Sequence, residues 1–293
     1  MKTTQKKKAK LHKKSPRKVK QESATSSPLI MESIKVDNVA QPQERGKQTP
    51  ALIFITGESP MVEQYAEVCS AHGYDVSISW NERLKQKPEF HSGSIKITNT
   101  IPANTSLAIE LTNIDPAAKR KNIERFDAAL AKTAPILSSS ITVTATEQSS
   151  WISGKHRLVG IAALPTLIQK SLIEISPTIY SPKETLEVTK HFYQSIGKEI
   201  EIVQDRIGMV LPRMLCCIIN EAAFAITEDI ATPQDIDTAL KLGVNFPFGP
   251  FAWAEQIGLK QVYAVLTALH TDLQEERYRV APLLRQMAIT RNS

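Results

Sequence analysis

Few residues in this chain have a type and spacing that suit chemistry. Three cysteines, Cys69, Cys216 and Cys217, could act as thiolates. A reactive thiolate needs a cationic neighbour or a helix N-terminus. The adjacent pair lies in an apolar stretch with no His or Lys beside it, which predicts core packing in a reducing compartment. Six histidines could move protons: His12, His72, His91, His156, His191 and His270. None has a carboxylate partner at a patterned spacing, so surface or partly packed side chains are expected. There is no Cys-x-x-Cys and no His-Glu-x-x-His, and no metal site is expected. Gly57 closes an apolar run and could open a phosphate-cradling turn. Taken alone it is first of all a turn glycine. Glycine is scarce here, 11 in 293, below the usual ~7%.

The elements around these residues are legible from apolar periodicity. Ala51-Leu-Ile-Phe-Ile-Thr-Gly57 reads as a buried parallel strand. A helix follows with Met61, Tyr65, Val68 and Cys69 on one face, ending at Gly73. Tyr74–Trp80 is a second strand, which completes a βαβ unit. Further strands are predicted at Ser92–Thr98, Ser106–Leu111, within Pro135–Val143, and at Arg157–Ala163, Leu172–Ser176 and Glu199–Val203. Helices are predicted at Asp115–Lys132 and, behind a Ser181-Pro-Lys-Glu184 capping box, up to about Ile196. Residues 51–203 thus read as a Rossmann-like, doubly wound α/β domain.

From Asp205 the strand pattern stops. Ile207, Val210, Leu211, Met214, Leu215, Ile218, Ile219, Ala222 and Ala225 predict a helix that is apolar on most sides and therefore covered all round. Thr232-Pro-Gln-Asp235 opens a further helix that ends at Gly243. Phe246-Pro-Phe-Gly-Pro-Phe251 is expected to be non-helical. Two more helices fit at Leu259–Leu273 and Tyr278–Ile289. Residues 204–293 read as an all-α domain.

Composition is in the globular range, with 42% hydrophobic and 23% charged residues. No window approaches 18 apolar residues, which excludes a membrane-spanning helix. No secretory apolar core follows the basic start, so a cytoplasmic protein is expected. The net charge of +6 divides unevenly. Residues 1–50 carry 13 Lys/Arg against four acids, leaving 23 basic and 26 acidic residues beyond them. The first 50 residues lack Phe, Tyr and Trp and read as a disordered basic tail. The stretch 1–20 could bind nucleic acid or an anionic surface. It is first of all a solvated extension, or an upstream start with translation beginning at Met31.

Five pieces of the helical half share an order and spacing with one family. They are Asp205-Arg-Ile-Gly-Met-Val-Leu-Pro-Arg213, Ile219-Asn-Glu-Ala222, Ala231-Thr-Pro-Gln-Asp-Ile-Asp237, Leu242-Gly-Val-Asn-Phe-Pro-Phe-Gly-Pro-Phe251 and Gln256-Ile-Gly258. On these the chain resembles the 3-hydroxyacyl-CoA dehydrogenase family, 3-hydroxybutyryl-CoA dehydrogenases included. The likeness runs over about residues 51–290. It implies an NAD-binding Rossmann domain followed by a helical domain that carries a homodimer interface. It also implies oxidation of the 3-hydroxyl of an acyl-CoA, a reaction of fatty acid metabolism, with hydride passed to NAD.

The resemblance weakens at the chemistry. The family's Gly-x-Gly-x-x-Gly turn falls on Gly57, Ser59 and Val62. Ser59 adds a Cβ where backbone should approach the pyrophosphate, Val62 crowds the helix, and Pro60 removes an N–H. The acid that would hold the adenosine ribose falls on Trp80. The catalytic histidine falls on Ala162, which cannot take a proton. The carboxylate that orients the histidine falls on Glu174, the family asparagine on Pro212, and the family serine near Ser140 or Thr142. His156 precedes the strand of Ala162 and is too far back to substitute. An excursion of the family that bears on acyl-CoA is reduced to Asn81–Thr105. The residues therefore imply a degenerate, catalytically impaired relative. A weakly active NAD-dependent enzyme and a non-catalytic, dimerising interaction protein are the alternatives.

Overall fold

The computed structural model describes residues 51–79, 90 and 94–290. The basic tail, Met31, Trp80, His12 and His91 lie outside the described residues, as does most of the stretch before Ser94. Eight strands form one sheet in the order β3-β2-β1-β4-β5-β6-β7-β8. These are β1 (Leu52–Gly57), β2 (Asp75–Ile78), β3 (Ile95–Ile97), β4 (Thr105–Leu111), β5 (Ile136–Ser139), β6 (Leu158–Ile161), β7 (Leu172–Pro177) and β8 (Glu199–Ile202). All pairs are parallel except β6–β7. Only residues 162–171 join β6 to β7. A parallel return needs a crossover of a dozen or more residues, so this link folds the chain back antiparallel.

The two faces of β1 show how the layers form. Ile53 and Ile55 are buried with Met61 and Tyr65 of α1 (Met61–Ala71). Phe54 points the other way and meets Phe126 of α2 (Pro116–Ala129) edge-on, with ring centroids 5.8 Å apart. Strand alternation thus loads both faces, as a doubly wound sheet requires. α3 (Ala145–Ser149) and α4 (Lys183–Ser195) complete the α/β part. Beyond Ile202 the described chain is helical: α5 (Leu211–Thr227), α6 (Pro233–Gly243), α7 (Pro250–Ile257), α8 (Leu259–Leu273) and α9 (Pro282–Thr290). Residues 48–293 form one compact unit. Within it Ile141, Ala162, Leu164 and Leu167 share an apolar cluster with Leu215, Cys216, Val262 and Leu266. The helices therefore sit against the end of the sheet where β5 and β6 finish.

Several expectations are corrected. The Ser181 capping box does not form. Pro182 is the N-cap of α4, and the Ser181 hydroxyl instead accepts from Thr178 N and donates to Leu158 O. β5 does lie within Pro135–Val143 as expected, but it ends at Ser139, which leaves Ser140 and Thr142 in the loop beyond it. α7 was not foreseen, and Pro250 and Phe251 belong to its first turn. Proline is tolerated there because the first N–H of a helix has no partner to lose. α5 starts at Leu211, so Ile207 and Val210 precede it, and Met214 is 55% exposed. The helix is not covered on every side within one chain.

Candidate functional site

In open α/β sheets ligands bind beyond the carboxyl ends of the strands, where the strand order reverses. Here that point lies between β1 and β4. Gly57 ends β1 with φ of +140°, and a Cβ on it would come within 2.5 Å of the Leu111 backbone. Only glycine lets the two strand ends lie this close. Val62 is buried in the core between α1 and the sheet and is accommodated there. Ser59 and Pro60 are exposed on the turn and line a cavity of about 480 Å³, together with Ile114, Gly258, Lys260 and Gln261. Pro60 offers no N–H to an anion, and Ser59 places a side chain where backbone would have to approach one.

A residue between these positions dominates the crevice. The Glu58 carboxylate accepts from Asn113 N at 3.1 Å, from Ile114 N at 2.8 Å and from Gln261 Nε2 at 2.6 Å. Asn113 Nδ2 donates to Gln261 Oε1 at 2.8 Å and to Ala163 O at 2.9 Å. Ser139 Oγ donates to Asn113 Oδ1 at 2.6 Å, and Thr142 Oγ1 to Asn113 O at 3.0 Å. Burial pushes the Glu58 carboxyl above its ordinary value of 4.5. The two backbone amides and Gln261 pull against that rise, and the Glu110 charge adds to it. Beneath this network the Lys119–Glu110 pair is wholly buried. Lys119 also donates to Ser139 O at 2.8 Å.

The positions matched to the family's catalytic groups lie on the far side of β5. Ala162 is buried among Ile141, Met209 and Leu215. It borders a pocket of about 250 Å³ with Leu167, Leu172, Glu174 and Leu211. Glu174 is on β7 beside it, and Ala162 N donates to Glu174 O at 3.0 Å. The Glu174 side chain faces elsewhere. Its two oxygens accept from Val210 N at 2.8 Å and Leu211 N at 2.7 Å, at the start of α5. A carboxylate there satisfies orphan amides and suits the positive end of the helix. Pro212 follows in the first turn of α5 and is buried. The buried Ser140 hydroxyl meets Met209 Sδ at 3.5 Å, and a Cβ at Gly160 would strike it. Thr142, by contrast, lines a cleft of about 770 Å³ with Ile207, Lys260, Tyr263, Thr267 and Ile289. The structure thus brings Ala162 and Glu174 together and places Thr142 apart from them, on the cleft between the sheet end and α8–α9.

Among the described residues no cysteine or histidine is set up as a substitute nucleophile or base. Burial pushes the Cys69 thiol up to about 12 and the Cys216 thiol higher still. Cys217 is also raised by burial, although Arg213 and Arg277 oppose the shift. His72, His156 and His191 are exposed and His270 is half-buried, none of them lining the cavities just described. Among the described residues no cluster of His, Cys, Asp or Glu could hold a metal ion, and no helix is long and apolar enough to cross a membrane.

Residues 208–292 match the family model for the C-terminal domain of 3-hydroxyacyl-CoA dehydrogenase. That match to the helical half, together with the relatives and solved structures that follow, supports the 3-hydroxyacyl-CoA dehydrogenase family. It is 29% identical over 182 residues to a 3-hydroxybutyryl-CoA dehydrogenase of Bradyrhizobium diazoefficiens, a match that spans 62% of each chain. It is 38% identical over 118 residues to the 3-hydroxyadipyl-CoA dehydrogenase of Escherichia coli, covering 40% of this chain and 25% of that one. This chain therefore spans less than two thirds of the length of these two relatives. Among solved structures it is similar to an (S)-3-hydroxybutyryl-CoA dehydrogenase from Ralstonia eutropha. The TM-score is 0.68 at 25% identity, over 82% of this chain and 94% of that one. A Rossmann N-terminal domain followed by a helical C-terminal domain is the fold of these neighbours, and the present fold is the same.

Sequence reasoning missed Glu58, Asn113 and Gln261. Glu58 carried a signal: an acid directly after the turn glycine, beside a site meant for phosphate. Asn113 and Gln261 are 148 positions apart, and nothing local marks them as partners.

Proposed function

We propose that this chain is a 3-hydroxyacyl-CoA dehydrogenase family protein without effective hydride transfer, working through self-association of its helical part. The observation that carries the reading is the Ala162–Glu174 pair. The position of the base is a methyl group sealed among Ile141, Met209 and Leu215, and the acid beside it is engaged by the amides of α5. General acid–base catalysis commonly supplies 10²–10⁴-fold in rate, and no group here can supply it. The turn does not suit NAD either. Ser59 and Pro60 stand where a pyrophosphate needs bare backbone, and the Glu58 carboxylate brings like charge to the same crevice. No proton or hydride step is therefore assigned to these residues.

Self-association is supported by the α5–α6 face. α6 contains no buried residue. Ile218, Ala222, Ile230, Ile236, Leu240 and Val244 line an open groove of about 760 Å³ there. A second copy is the simplest cover for it, through a two-fold interface. Two measurements on the purified chain test the whole reading. Titration with NADH followed by fluorescence should give no saturable binding at low-micromolar ligand. Acetoacetyl-CoA reduction should stay near background in wild type and in Ala162→His. A turnover in the ordinary range of roughly 1–10³ per second would overturn the reading. Light scattering should give a dimer, and a clean 32.5 kDa monomer would overturn self-association.

A further inference from the structure

Glu58 lies at the switch point of the sheet, where an open α/β fold keeps its ligand site. Its carboxylate takes two consecutive backbone N–H groups at the end of β4 and the side chain of Gln261 on α8. Among the described residues no cation pairs with it, so N–H donors alone hold its charge. Asn113 and Gln261 are nearly fully buried, and their amides interlock. Ser139 and Ala163 close the network from the ends of β5 and β6. Two other elements thus meet on this carboxylate and two more join through Asn113, in the place where a bound molecule would draw them together.

We infer that Glu58 is a built-in ligand of the crevice: it fills a carboxylate site made by the Asn113 and Ile114 amides and, through Gln261, clamps α8 to the sheet. The inference deepens the reading of a non-catalytic family member and rests on it for its meaning, though not for its test. Two features favour a ligand-like role over ordinary packing. The donors converge from parts of the chain more than 140 positions apart. The group they hold is also an anion, which backbone amides bind more strongly than a neutral oxygen. The site beneath Glu58 is thus selective for a small carboxylate, and removing the side chain exposes it.

The test uses the full chain as Glu58→Ala and Glu58→Gln, with Glu67→Gln as a control on the outer face of α1. Hydrogen exchange is read at Asn113, Ile114, Gln261 and Val262, and at Tyr65 and Cys69 for comparison. In both variants exchange at the first four amides should rise about tenfold or more, the factor carried by one charge-assisted hydrogen bond. Tyr65 and Cys69 should be unchanged. Excess acetate should reverse the rise in Glu58→Ala and leave wild type unaltered. Unchanged protection at Asn113 and Ile114, or a rise that acetate does not reverse, overturns the inference. If Glu58→Ala fails to fold, Glu58→Gln decides: a rise confined to the four amides supports the clamp, and a uniform rise overturns it. NADH binding by wild type would overturn the proposed function alone, because the exchange readout contains no nucleotide.

Discussion

The first βα turn and the turn between α6 and α7 are built alike. In each a glycine has no room for a Cβ: Gly57 against the Leu111 backbone, and Gly249 against the Asp237 side chain. In each a carboxylate accepts from two consecutive backbone amides. Glu58 holds Asn113 and Ile114, and Asp237 holds Phe251 and Ala252 at 2.9 and 3.1 Å. The second turn lies in the stretch that matches the family model. The first lies outside that stretch, where the sequence resemblance puts the dinucleotide turn. The comparison teaches that one fastening device closes two turns far apart in the chain. Glu174 on the α5 amides and Asp205 on those of Ala145 and Thr146 extend it.

The two glycines should separate most sharply. Gly57→Ala pushes a Cβ into backbone at a positive φ and should cost more than ~3 kcal/mol, close to loss of folding. Gly249→Ala strikes a side chain that can swing away, forfeiting its two hydrogen bonds, and should cost about 1–3 kcal/mol. Urea midpoints measure both, and equal losses would break the distinction between the turns.

The carboxylates should behave more alike. Glu174→Gln and Asp237→Asn each leave helix-start amides less well satisfied and should each cost about 1–2 kcal/mol. A Glu174→Gln protein of unchanged stability would show that Glu174 does not fasten α5, and would separate it from Asp237.

The smallest effect concerns acid. Burial works to raise the Asp127 carboxyl, but Arg157 and the Ser153 and Gly154 amides outweigh it and hold it below its ordinary 3.8. A depressed native value means stability that is present at neutral pH and lost as pH falls through the native value. Asp127→Asn should therefore flatten the decline in stability below about pH 4, the unfolded carboxyl range, and leave its slope near pH 7 unchanged. An identical acid decline in wild type and variant would show that Asp127 adds nothing to it.

The strands were legible because each is an apolar run closed by glycine or a polar turn, as Leu52–Gly57 shows. Thr232 was legible as a cap, since its hydroxyl does accept from Asp235 N. Ser181 fits the same local pattern, but tertiary partners at Thr178 and Leu158 outbid the helix for its hydroxyl. α3 and α7 span five and eight residues, too short for a periodic signal. At the site, the sequence put Ala162 at the end of one strand and Glu174 within the next, and the short 162–171 link brings the two side by side. What Glu174 holds could not be read, because the start of α5 reaches it only in the folded chain. The polar closure of the crevice was invisible for the same reason.

α6 has one more consequence. A helix with no fully buried residue, tied to its own chain mainly through Asp237 and the half-buried Ile236 and Leu240, gains less from tertiary packing than its neighbours, and eleven residues are too few to stay helical unaided. Part of its order should therefore come from whatever occupies the groove beside it. Binding that favours the folded form adds stability by mass action. The melting temperature of this part of the molecule should therefore be a property of the solution as well as of the sequence. It should climb with protein concentration while the sheet stays indifferent, so that one chain carries two thermometers, only one of which counts its neighbours.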